Sequence, residues 1–102
     1  MNRKLVVFVP PEALSELREA LFAAGAGRIG DYERCSWFAH GMGTFRALPG
    51  AKPSLGEVGK EEHVAEVRLE TVFPEERQTE VIAALRTAHP YEEPAFDVYP
   101  LL

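Results

Sequence analysis

The chain has 102 residues, of which 46% are hydrophobic and 26% are charged, so it is long enough for one domain with one core, spanning residues 1–102. This composition excludes a disordered chain, collagen-like repeats and a coiled coil. Sixteen acidic residues against eleven Lys and Arg give a formal net charge of -5, which disfavours nucleic acid and anionic membranes as partners.

The first forty residues predict a strand, a helix and a second strand. Residues 5–9 are apolar at every position, which is typical of a central strand that is covered on both faces. Two prolines follow, and after them one apolar stripe predicts a helix, formed by Leu14, Leu17, Leu21 and Ala24. Gly25 fits the end of this helix. Alternation over 32–40 predicts the second strand.

The middle of the chain predicts a turn, a loop and the clearest strand. Gly41, Met42 and Gly43 predict a turn, and 44–48 a short extra strand. Residues 49–60 hold three glycines and two prolines, which predicts an exposed and mobile loop of the kind that often carries function. Alternation over 63–73 predicts the next strand and places His63 on its core face, as a hydrogen-bonded structural histidine.

The last thirty residues predict a helix and an edge strand. The helix opens at Pro74 and ends before Pro90, and its apolar face is formed by Val81, Ile82, Leu85 and Ala88. Residues 94–99 predict a strand with prolines at both ends, which suits a sheet edge. The order β-α-β-β-α-β predicts an α+β, ferredoxin-like sandwich with an antiparallel sheet and two helices on one face.

Few residues suggest catalysis or metal binding. Residues 25–30 fit G-x-G-x-x-G, but they follow a helix and precede a strand, so a helix stop with positive φ is favoured over a phosphate cradle. The three histidines, His40, His63 and His89, lack the spacing of a helical zinc motif. A folded cluster with Cys35 or Glu93 is left open. We therefore assign no catalytic, metal or cofactor residue.

The single cysteine indicates where the protein resides. Cys35 excludes an intrachain disulfide and a paired-cysteine motif, and its place beside Trp37 on one strand face favours an inert buried thiol. The apolar run at 5–9 is too short for a signal-peptide core or a membrane span. We therefore expect a cytoplasmic protein without a membrane segment.

The segment between the second helix and the last strand is the candidate binding site. A titratable ring, a phenol and two carboxylates lie between prolines at 89–94, with Glu92 and Glu93 expected to point to opposite sides. One interpretation is a rigid polar rim that contacts a ligand or a neighbouring subunit, and the other is a helix end with acids facing water. The glycine turn and the 49–60 loop are the expected opposite wall. The candidate ligand-binding residues are His89, Tyr91, Glu92, Glu93, Gly41 and Gly43.

Several stretches resemble one family, namely 10–12, 24–32, 35–36, 41–45, 53–56, 66–70 and 89–101. The most specific are AGAGRIGDY at 24–32 and HPYEEPAFDVYPL at 89–101. The chain resembles the inserted domain of YqfO-like dinuclear-metal-centre proteins, also called GTP cyclohydrolase 1 type 2 homologues. The resemblance implies a stand-alone insert of the trimeric CutA and PII-like type. It also implies that the family's metal ligands, which lie in flanking segments, are missing here.

We therefore expect a non-catalytic, self-associating domain that binds a small ligand or a protein partner at subunit clefts. A homo-oligomer is expected, with a trimer favoured over a dimer by analogy with the CutA and PII-like domains. The alternative is a CutA-like protein that binds divalent metal. A third hypothesis is an enzyme that acts on a small phosphate compound.

Overall fold

The computed structural model describes residues 1–53 and 55–102, and its elements follow the predicted order. They are β1 (Asn2–Val9), α1 (Leu14–Ala23), β2 (Ser36–Arg46), β3 (Glu61–Pro74), α2 (Gln78–Ala88) and β4 (Phe96–Pro100). A short 3₁₀ turn precedes each helix, at Pro11–Ala13 and Glu75–Arg77. The described part of the predicted loop, 49–53 and 55–60, contains no helix or strand. Ser54, which both the loop prediction and the family resemblance include, lies outside the described residues.

The four strands form one antiparallel sheet in the order β2-β3-β1-β4. The predictions that the first strand is central and the last is an edge are therefore confirmed. Both helices cover one face of the sheet, which confirms the α+β, ferredoxin-like sandwich. No helix in the described part of the chain is long and apolar enough to cross a membrane.

The core lies between the sheet and the two helices. β1 and β3 contribute every second residue, the ones on the covered face, and the helices contribute their predicted apolar stripes. Together these side chains form one cluster, which includes Leu5, Val7, Val9, Leu17, Leu21, Leu69, Phe73, Val81 and Leu85. These side chains are at most 1% exposed. Their burial removes apolar surface from water and is the main favourable term in folding.

The predicted turn at Gly41–Gly43 is wrong, and so are the two separate strands on either side of it. β2 is one strand of 11 residues, in which Gly41 pairs with Glu66 and Gly43 pairs with Val64 of β3. Glycine inside a strand often marks a close approach by another group. A Cβ on Gly43 would overlap the Glu66 carboxylate, so glycine makes room for this side chain.

Two predictions of burial are also wrong. His63 is exposed and its Nε2 lies 2.9 Å from Glu61 Oε2, because β3 runs past the region that the helices cover. Cys35 is half-buried and precedes β2, and its carbonyl accepts a 2.8 Å hydrogen bond from the Thr71 hydroxyl.

The glycine-rich stretch at 25–30 ends α1 as predicted. Gly25 follows the helix with φ 113°, and Gly27 and Gly30 have φ 90° and 58°. At Gly27 a Cβ would lie 2.8 Å from the Phe22 ring, so both the positive φ and the close packing require glycine. The stretch therefore stops the helix and turns the chain toward β2.

Candidate functional site

A cleft of about 300 Å³ opens between the segment that follows α2 and the loop that follows β2. It is called the junction cleft below. Its described lining residues are Thr44, Phe45, Ala47, Ala51, Pro53, Leu55, Glu66, Tyr91, Glu92, Glu93 and Ala95. The predicted juxtaposition of the 89–94 segment with the 49–60 loop is therefore present in the fold.

His89 lies behind the cleft and holds one wall in place. Its side chain is buried, with 5% exposed, and Nε2 lies 2.7 Å from the Phe8 carbonyl oxygen. Because a carbonyl only accepts, Nε2 carries the proton, and Nδ1 accepts the Tyr91 N–H at 3.1 Å. Burial lowers the pKa of His89, which favours this neutral form. Both ring nitrogens are thus bonded to the backbone, and His89 positions the segment.

Tyr91 presents an aromatic ring and a hydroxyl to the cleft. Its ring packs 5.1 Å from the His89 ring, centroid to centroid. Burial raises the pKa of Tyr91, and the nearby carboxylates of Glu66 and Glu12 raise it further. The phenol therefore keeps its proton at neutral pH and can donate a hydrogen bond.

Glu66 of β3 is the residue that sequence reasoning missed. Its side chain is half-buried, it lies against Gly43, and it lines the junction cleft. Among the ion pairs of the described residues, none includes Glu66. The alternation of β3 placed Glu66 on the polar face, but it contained no signal that distinguishes it from Arg68 or Glu70.

The two acids of the segment both line the cleft, so the expectation that they point to opposite sides is wrong. The segment bends at 91–93, and a strand-like alternation does not apply there. Glu92 Oε1 accepts the backbone N–H of Lys52 at 3.3 Å and so links the two walls. Glu93 is exposed at the rim.

A second cleft of about 470 Å³ adjoins the first, and Thr44, Glu66 and Ala95 line both. Its other described lining residues are Phe8, Ala39, His40, Gly41, Met42, Gly43 and Arg68. The six candidate residues are therefore distributed over three places. Tyr91, Glu92 and Glu93 line the junction cleft, the two glycines line the second cleft, and His89 lies behind.

Metal-binding side chains do not converge in the part of the chain that the structure describes. Across residues 1–53 and 55–102, no three His, Cys, Asp or Glu side chains form a group that could hold an ion.

Comparison with known proteins supports the predicted resemblance, although no family model matches the chain. The GTP cyclohydrolase 1 type 2 homolog of Mycobacterium tuberculosis is 54% identical over 99 residues, which are 97% of this chain and 26% of that protein. The crystal structure of a Bacillus cereus protein related to NIF3 superposes with a TM-score of 0.85 at 49% identity, over 98% of this chain and 25% of that one.

The fold also has more distant neighbours. The periplasmic divalent cation tolerance protein CutA from Archaeoglobus fulgidus superposes with a TM-score of 0.71, over 99% of this chain and 84% of that one. At 17% identity this likeness shows a shared fold alone. The chain spans about a quarter of the length of the curated relatives that it matches, and it matches one stretch of 99 residues within them.

Proposed function

We propose that this chain, which matches one domain of the GTP cyclohydrolase 1 type 2 homologs, is a non-catalytic, self-associating domain that binds a ligand in the junction cleft. The observation that carries the proposal is the cleft itself, a space of about 300 Å³ with an apolar wall on one side and polar groups on the other. Its described titratable residues are three glutamates and one tyrosine. No Ser, Cys or Lys nucleophile and no histidine base is among the described lining residues, which favours binding over catalysis.

The polar wall is preorganised, which favours binding. His89 bonds the segment to β1, Glu92 bonds it to the opposite loop, and Pro90 and Pro94 restrict its backbone. A wall that is already ordered loses little conformational entropy when a ligand binds. The cleft is therefore suited to a small ligand.

Self-association is supported by the face of the sheet that the helices leave uncovered. Trp37 is 59% exposed and Tyr99 48% exposed on this face, Val72 lies between them in the sheet, and Val64 lies further along β3 on the same face. In the described residues β2 pairs only with β3, so its outer edge can accept another strand. We favour a trimer over a dimer, by analogy with the trimeric domains that the sequence resembles.

The ligand site is tested by a fragment screen on ¹⁵N-labelled protein. We expect binding fragments to shift the amide signals of 44–47 and 91–95. Tyr91→Ala should remove these shifts, and the melting temperature of this variant should stay within a few degrees of the wild type. Glu93→Gln should weaken binding without a structural effect, because Glu93 is exposed. Tyr32→Ala is the matched control, since Tyr32 is 76% exposed and does not line the cleft. Fragments whose shifts survive Tyr91→Ala would contradict the proposal.

The assembly is tested by light scattering coupled to size exclusion. We expect a particle of three times the 11.3 kDa chain mass, and we expect Trp37→Glu to dissociate it because a charge would replace the exposed aromatic ring at the contact. Tyr32→Glu is the control for the added charge, because it replaces an exposed aromatic residue outside the sheet and changes the net charge equally. A monomer at high micromolar concentration would contradict self-association.

A further inference from the structure

We propose that the junction cleft takes an organic cation, a small molecule in which an ammonium group is attached to an apolar body. This inference rests on the proposed function, because it names the chemical class of the ligand for the same cleft. The features that carry it are the sign of the charges that line the cleft, the carboxylate of Glu66, which is in no ion pair among the described residues, and the apolar opposite wall.

The charges that line the junction cleft have one sign. Glu66, Glu92 and Glu93 contribute carboxylates, and no Lys or Arg side chain lines the cleft among the described residues. Lys52 approaches it through its backbone N–H, which donates to Glu92. The second cleft differs, because Arg68 and His40 line it. An anion in the junction cleft would therefore meet like charges, and a cation would meet opposite ones.

Glu66 is the carboxylate best placed to bind the cation. Its neighbour on the same strand face, Glu70, is already paired with Lys4 at 3.4 Å and with Arg68 at 3.1 Å. Glu66 has no such ion pair in the described part of the chain, although its side chain is half-buried. The neighbouring Tyr91 hydroxyl is neutral, so a cationic ligand would give this half-buried carboxylate the ion pair that it otherwise lacks. Gly43 lacks a Cβ that would overlap the carboxylate, so the carboxylate can lie at this position.

The rest of the lining suits an apolar body next to the ammonium group. Phe45, Pro53 and Leu55, with Ala47 and Ala51, form most of the wall that faces Glu92 and Glu93. The Tyr91 ring adds an aromatic face, whose electron-rich surface attracts a nearby cation. A metal ion would leave this apolar wall unused. An amphipathic amine satisfies the apolar and the charged walls together.

Three probes of similar shape and different charge test the inference. Phenethylamine is a cation, 2-phenylethanol is neutral and 3-phenylpropionate is an anion at pH 7. We expect phenethylamine to shift the amide signals of 44–47, 66 and 91–95 with a Kd about tenfold below that of 2-phenylethanol, and 3-phenylpropionate to bind more weakly than either.

Glu66→Gln should raise the Kd of phenethylamine about tenfold and leave that of 2-phenylethanol unchanged. Glu76→Gln is the matched control, because Glu76 is exposed, lies outside the cleft and changes the net charge equally. We expect no effect of this control on any probe.

Each other outcome refutes a specific part of the reasoning. Equal affinity for the three probes at the cleft, or a preference for the anion, would overturn the cation class and leave a binding cleft. Equal weakening by Glu66→Gln and Glu76→Gln would show that net charge, and not Glu66, attracts the amine. No shift at the cleft with any probe up to about 10 mM would overturn both this inference and the proposed function.

Discussion

The replacement His89→Gln tests how the domain holds the wall of its cleft. The buried ring donates from Nε2 to the Phe8 carbonyl at 2.7 Å and accepts the Tyr91 N–H at Nδ1 at 3.1 Å. A second proton on Nδ1 would face that N–H and remove its acceptor. Acid is therefore expected to weaken the folded state through this one residue.

The sign and size of the effect follow from the pKa of His89. Burial lowers it in the folded state, below the 6.5 of an unperturbed histidine, so the unfolded chain takes up the proton first as the pH falls. The free energy of unfolding then decreases with a slope of at most about 1.4 kcal/mol per pH unit. Between pH 7.5 and 5.5 the free energy of unfolding of the wild type should decrease by up to about 1.4 kcal/mol through His89. The variant His89→Gln should not show this decrease, because glutamine does not titrate.

Urea denaturation followed by far-UV circular dichroism at pH 7.5, 6.5 and 5.5 measures this difference. At pH 7.5 His89→Gln should itself be about 1–3 kcal/mol less stable than the wild type, since a buried hydrogen-bond partner is altered. His63→Gln is the control for the loss of an imidazole, because His63 is exposed and its ring is not bonded to the backbone of another element. An identical pH slope in the wild type and His89→Gln, or a proton on Nδ1 in long-range ¹H–¹⁵N spectra at pH 7, would refute the reasoning.

Two glycine substitutions test the close approaches in the fold. Gly43→Ala should displace the Glu66 carboxylate and raise the Kd of phenethylamine about as much as Glu66→Gln does. Gly41→Ala should change this Kd less, because its Cβ would lie 4.0 Å from the nearest atom. Gly27→Ala should lower the free energy of unfolding, measured by urea denaturation, by about 1–3 kcal/mol, because it combines positive-φ strain with a clash against the Phe22 ring. Gly30→Ala should lower it less, because nothing lies within 4 Å of its Cβ. Equal losses at 27 and 30 would show that packing at Gly27 is unimportant.

Local periodicity was enough to predict most of the fold. The stripe of Leu14, Leu17 and Leu21 identified α1, and the alternation over 63–73 identified β3, because a side chain's face is set by the repeat of its own element. The order of the elements then restricted the topology to the ferredoxin-like arrangement. The segment at 89–94 was found in the same way, since its prolines and polar side chains are adjacent in the chain.

The remaining features depend on residues that are far apart in the chain. Nothing in the local pattern of Gly41 and Gly43 distinguishes a turn from a strand interior, and it is the pairing with β3 that places both glycines inside β2. The role of His89 depends in the same way on Phe8, 81 positions away. Composition and periodicity therefore determined which elements form and which segment carries polar chemistry. The tertiary structure decided which groups are paired, buried or left unpaired, because those properties depend on contacts between elements that no single element's pattern contains.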